Sequence, residues 1–282
     1  MYTVHLESAP TGVRRTPPSE EPPDASCTPP FRCHPVRRTA LRRTAFAAGA
    51  LYLITFLTSV PTLALYRPVL THGDFVLGSG STTSVLAGTS LEVLLAVSCV
   101  GTAAVLFPVV RRRSETAAVG YLAARLIEAG LILVGVTSLL SIIALRQDHG
   151  SAEPGSLVTA AQVLVAVYNR AFLLSQSLMP AFSALCLGSA LYRSRLVPRA
   201  IPLLGLLGAP LLLASDAAIL WGSYGPQSPF AVLAALPVAL WELALGLWLL
   251  VRGFQPAPLD TAPEVGQSAI SPDSEALPSA VR

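Results

Sequence analysis

The 282-residue chain is 52% hydrophobic and only 12% charged, whereas soluble domains carry roughly 25% charged residues. That balance excludes an ordinary soluble globular fold and points to a membrane protein. All nineteen basic residues are Arg and none is Lys, a bias in keeping with a GC-rich, bacterial coding sequence. The net charge of +3 is small and confined largely to tails and loops, so nucleic acid is excluded as a partner.

Residues 1–36, rich in Pro, Ser, Thr and Glu (TPPSEEPPDASCTPP), have too little apolar surface to build a core and read as a disordered tail. They also lack the apolar stretch of a signal peptide. Residues 253–282 read in the same way. Between the tails, residues 37–252 contain six apolar segments, each near the ~20 residues needed to cross the hydrocarbon as a helix. They fall at Thr44–Tyr66, Val85–Val110, Ala117–Leu145, Ala171–Tyr192, Ala200–Trp221 and Pro229–Val251. The fourth sits inside a longer apolar run from Ser156, and the apolar but short LVTAAQVLVAVY, within Arg146–Tyr168, reads as an interfacial helix. Pro61, Pro202, Pro210 and Pro237 fall inside spans and mark expected kinks. The fold class is therefore an all-α, polytopic membrane bundle of about six helices.

Loop charge orients the bundle. Arg37, Arg38, Arg42 and Arg43 precede the first span, Arg111–Arg113 follow the second, Arg193, Arg195 and Arg199 separate the fourth and fifth, and Arg252 follows the sixth. The opposite loops carry only Arg67 and Arg146. By the positive-inside rule both ends of the chain face the cytoplasm, with the lipid bilayer as partner.

Six ionisable residues fall within or near the spans: Glu92, Arg125, Glu128, Arg170, Asp216 and Glu242. A charge at the centre of a spanning helix costs roughly 2.5–3.5 kcal/mol on insertion scales, so such residues turn inward and pair. Arg125 and Glu128, three apart, share one helical face. Depth along the helices, at about 1.5 Å per residue, sorts the six into two layers. Arg125, Glu128 and Glu242 lie at middle-to-inner depth; Glu92, Arg170 and Asp216 lie toward the outer side. Each layer would hold one carboxylate more than its Arg neutralises. An uncompensated carboxylate in a low dielectric can hold or exchange a proton, and the same charges can equally serve as a clamp that fixes helix order.

Other candidate chemistry is thin. Cys99 and Cys186 lie in apolar runs and read as small hydrophobes; Cys27 and Cys33 are too far apart for zinc-type pairing. His5, His34, His72 and His149 all lie outside the spans, which leaves no intramembrane haem or zinc ligand. Gly78–Ser81 (GSGS) has neither an intramembrane His as base nor the third Gly of a dinucleotide loop, and reads as a flexible loop. His72 and Asp74, with Asp148 and His149, would form a metal site only if the two outer loops met. No cofactor motif is present.

Several stretches resemble a known bacterial family: RRTALRRTAFAAGALYLITFLTSVP, DFVLGSGS followed by LEVLLA, VGTAAVLFPVVRRRSE, GYLAARLIEAGLILVGVTSLLS and LYRSRLVPRAIPLLGLLGAPLLLAS. The family is catalogued as domain of unknown function 4386. The resemblance implies a multi-span inner-membrane protein of actinobacterial type with no established activity, and supplies no catalytic or ligand residues. The leading expectation is a non-enzymatic structural, regulatory or partner-binding protein. The alternative is a small proton-coupled transporter or channel that uses the intramembrane carboxylates. Topology is directly testable: a reporter active only in the cytoplasm should work when fused after Arg113 or Arg252 and fail at Gly150. The reverse pattern would invert the orientation.

Overall fold

The computed structural model describes residues 35–147, 153–226 and 228–255. His5, Cys27, Cys33, His34, Asp148 and His149 lie outside these residues, as do the tails, apart from Pro35 and Val36 at one end and residues 253–255 at the other. The described residues form helices α1 Pro35–Leu65, α2 Arg67–Thr71, α3 Thr82–Arg111, α4 Glu115–Gln147, α5 Pro154–Leu173, α6 Met179–Ser194, α7 Ala200–Leu220 and α8 Pro229–Val251. A 3-10 turn at Phe75–Leu77 lies in the loop before α3, and a π-helical turn at Leu174–Leu178 joins α5 to α6. Six helical segments are long and apolar enough to cross a membrane. An even number of crossings returns the chain to the side from which it started.

Local sequence explains the ends. Ser81 accepts a hydrogen bond from the Ser84 amide at 3.3 Å and Ser228 from the Ala231 amide at 3.2 Å, which satisfies one orphan donor at the start of α3 and of α8. Pro154 and Pro229 occupy first-turn positions, where the missing N–H costs nothing. Pro202 also lies in the first turn of its helix, a place that requires no kink, while α1, α7 and α8 run on through Pro61, Pro210 and Pro237.

The fourth crossing differs from the sequence reading. Instead of an interfacial segment followed by a span at Ala171–Tyr192, one helical segment runs 41 residues from Pro154 to Ser194. At 1.5 Å per residue it is about 60 Å long, twice the roughly 30 Å of hydrocarbon that a crossing needs. The reason is packing: Leu157, Ala161 and Tyr168 join Leu139, Ile142 and Ile143 of α4 in one buried cluster. The π turn precedes Pro180, whose ring would clash with the carbonyl four residues back in a regular helix. The Met179 amide reaches the Leu174 carbonyl instead.

The bundle is inverted relative to a soluble protein. Leu57, Val97, Leu207, Phe230 and Leu233 stand exposed on the outside, whereas Thr55, Thr58, Thr102, Ser183, Glu92, Arg125, Glu128 and Asp216 are buried. Hydrocarbon rewards that exterior. Inside, hydroxyls donate to carbonyls one turn back, as Thr55 does to Tyr52 at 2.8 Å and Thr102 to Cys99 at 2.8 Å, which satisfies those donors locally; the buried Ser183 hydroxyl and the Trp241 and Trp248 indole N–H groups have no partner among the described residues. Without a hydrophobic drive between helices in lipid, close approach supplies the packing. At Gly49 on α1 a Cβ would stand 2.6 Å from the Leu250 amide nitrogen and 2.7 Å from the Gly246 carbonyl of α8. At Gly205 on α7 it would meet the Trp241 ring at 2.6 Å.

Gly49→Ala must therefore push two backbones apart, and overpacking of this kind costs about 1–3 kcal/mol. Gly130→Ala, which meets nothing within 4 Å, should leave thermal unfolding in detergent unchanged or raised. Equal melting of the two variants would refute the close contact.

Candidate functional site

α4 supplies the centre of the site. Tyr121, Arg125 and Glu128 recur at helical spacing on its buried face. The Arg125 guanidinium donates through Nη1 to both Glu128 oxygens at 3.0 Å and through Nη2 to Glu242 Oε1 at 2.6 Å. Glu242 lies on α8, so the second bond ties two helices remote in sequence. These charge-assisted bonds are the strong class. The guanidinium also lies 5.1 Å from the centroid of the Tyr52 ring on α1 and 5.8 Å from that of Tyr121, a cation–π arrangement that contributes most where water is excluded. The two tyrosine hydroxyls bond each other at 2.9 Å. From α3 the Cys99 thiol donates to Glu128 Oε1 at 3.4 Å, so Cys99 is a polar partner rather than only the small hydrophobe expected from its apolar run.

Burial is uneven across the triad. The Arg125 and Glu128 side chains are 2% and 4% exposed, and that of Glu242 is 19% exposed. The difference matters because Glu242 borders a cavity of about 100 Å³. Thr55 and Ser59 of α1, Gln176 of the π turn, and Leu212 of α7 share its lining with Arg125 and Glu128. Helices from every part of the bundle thus meet there, at the point where one guanidinium faces two carboxylates.

The outer layer inferred from depth does not assemble. Glu92 on α3 accepts from the Tyr168 hydroxyl at 3.2 Å, with the Tyr66 ring edge-on to Tyr168 at 5.4 Å. Asp216 on α7 accepts from Ser177 at 2.5 Å through Oδ1, and its buried Oδ2 has no partner among the described residues. Arg170 is exposed and makes no ion pair with either carboxylate. The geometry explains this: Arg170 follows Tyr168 by two residues, about 200° around the helix, so the face that buries Tyr168 turns Arg170 outward.

The loop before α3 holds a different charged centre. Arg146, at the end of α4, donates to the carbonyls of Ser79 at 2.7 Å, Gly78 at 2.8 Å, Phe75 at 3.0 Å and Gly80 at 3.2 Å. Its guanidinium lies 4.6 Å from the Phe75 ring centroid. The loop read as merely flexible is thus gathered around one cation. His72 is engaged locally, with Thr71 at 3.1 Å and the Pro68 carbonyl at 3.3 Å. Among the described residues no group of three or more His, Cys, Asp or Glu is placed to hold a metal.

A family model described as Domain of unknown function (DUF4386) matches residues 47–253. The chain belongs to this family. The matched region contains the whole triad, its tyrosines and the cavity, so the charged centre lies within the family domain. No curated protein and no solved structure matches the chain.

Sequence reasoning missed Tyr52, Gln176 and the role of Arg146. Tyr121 could have been found, four residues before Arg125 and on its face; the others depend on which helices are neighbours. A double-mutant cycle separates paired from unpaired charges. The Arg125–Glu242 coupling should be about 1–3 kcal/mol, and the Arg170–Glu92 coupling indistinguishable from zero. Equal couplings would contradict this placement.

Proposed function

We propose that the chain is a non-enzymatic, multi-pass protein of a bacterial cytoplasmic membrane, with both ends cytoplasmic and a structural, regulatory or partner-binding role. In this reading the Arg125–Glu128–Glu242 network is a clamp that fixes helix order and register. The observation that carries it is the 2.6 Å bond from Arg125 to Glu242, which joins α4 to α8 in the interior. An enzymatic reading finds little support: Cys99, a thiol in contact with the charges, is fully buried and donates its proton to a carboxylate already held by Arg125.

The clamp has a testable energetic signature. Removing one partner of a buried ion pair costs about 3–5 kcal/mol because a charge is left uncompensated, whereas replacing all partners with apolar residues is often neutral. Arg125→Met alone should therefore lose the monodisperse folded peak in detergent chromatography. The triple variant Arg125→Met, Glu128→Leu, Glu242→Leu should recover it. A fully stable Arg125→Met protein would overturn the clamp.

A second reading, a small proton-coupled carrier, is favoured by the partly exposed Glu242 beside the cavity. In proteoliposomes it requires proton flux in the wild type that is lost in Glu128→Gln at normal folded levels. Absence of flux from the wild type would sink it.

A further inference from the structure

We infer that the central cavity is a binding site for a small primary ammonium ion, with Glu242 as its anionic anchor. This deepens the second reading in that it takes the cavity for a ligand site, but it requires binding and not transport.

The polar lining is weighted toward acceptors, its free donors being the amide NH2 of Gln176 and the buried Nε of Arg125. Glu242 spends Oε1 on Arg125, and Oε2 makes no hydrogen bond among the described residues. Thr55 and Ser59 donate their hydroxyl protons to the carbonyls of Tyr52 at 2.8 Å and Phe56 at 3.2 Å; what each turns to other partners is oxygen lone pairs. Gln176 makes no side-chain hydrogen bond among the described residues and brings an amide oxygen as acceptor beside its two N–H donors. An N–H-bearing cation has three donors to place, which suits this set.

Charge selects the same class. Two carboxylates face one guanidinium, so the centre is one positive charge short, and Nη1 and Nη2 of Arg125 are already bound to carboxylates. An anion would find only Arg125 Nε without a partner, on a guanidinium that already faces two carboxylates. A divalent cation would find a single available carboxylate oxygen beside a fixed positive charge, far from the several oxygen ligands such ions take. The remaining walls, Phe56, Leu95 and Leu212 among them, are apolar and suit a short alkyl tail. A cavity of about 100 Å³, against about 30 Å³ per liquid water, holds an amine of roughly one to three carbons.

The test is a thermal-shift titration of the full chain in nanodiscs at constant ionic strength, with ethylammonium, tetramethylammonium or sodium chloride as probe. Ethylammonium should raise the melting temperature saturably; tetramethylammonium, which has no N–H, and sodium should not. Glu242→Gln should weaken the apparent affinity roughly tenfold or more, the effect of losing a charged acceptor. Because that variant also loosens the clamp and can fail to fold, Ser59→Ala, which leaves the triad intact, provides the second arm and should weaken binding about threefold. No saturable shift with ethylammonium, an equal shift with sodium, or undiminished affinity in Ser59→Ala would each overturn the inference. Ethylammonium binding without proton flux would uphold it while sinking the carrier reading.

Discussion

The cost of placing the Arg125 guanidinium in the middle of an apolar bundle governs the rest of the architecture. A cation there is tolerable only if opposite charge, hydrogen bonds and polarisable rings surround it. The molecule supplies all three from different helices: Glu128 on the same turn of α4, Glu242 from α8, and the Tyr52 ring from α1. Each partner has to arrive at a fixed depth and rotation. The helix order is therefore constrained by one side chain, and the close backbone contact of α1 with α8 at Gly49 is what brings Tyr52 and Glu242 to the same guanidinium.

The second carboxylate gives this centre a double character. A single Arg–Glu pair would be closed on itself, whereas the second carboxylate is partly exposed beside a cavity and presents an oxygen that Arg125 does not hold. The π turn before Pro180 contributes to that space. It changes the rotation of the chain between α5 and α6, and on its five residues it carries both Gln176, at the cavity, and Ser177, bonded to Asp216. π turns recur at functional sites because they aim side chains that a regular helix would turn elsewhere.

Much of the fold was legible in the sequence because hydropathy and length are local properties. Six apolar blocks and their Arg-rich loops required no knowledge of neighbours, and the same-face pairing of Arg125 with Glu128 follows from spacing alone. Depth placed Glu242 level with Arg125, and the two side chains meet at 2.6 Å. It failed for Arg170, Glu92 and Asp216, because depth fixes height along the bundle axis but not rotation about each helix. The fourth segment runs as one 41-residue helical stretch along the longer apolar run from Ser156, and its early turns are ordered by packing on α4, which no local pattern announces. Arg146 looked like one more loop charge. Its role depends on carbonyls more than sixty residues earlier in the chain.

A charge swap tests the central claim most directly. If Arg125 holds the bundle by meeting Glu242, then Arg125→Glu and Glu242→Arg should each abolish the folded species in detergent, since each piles like charges together in the interior. Combining them restores opposite charges across the same gap and should return most of the folded protein, as read by tryptophan fluorescence and monodisperse elution. Single variants as stable as the wild type, or a swap no better folded than either single variant, would contradict it.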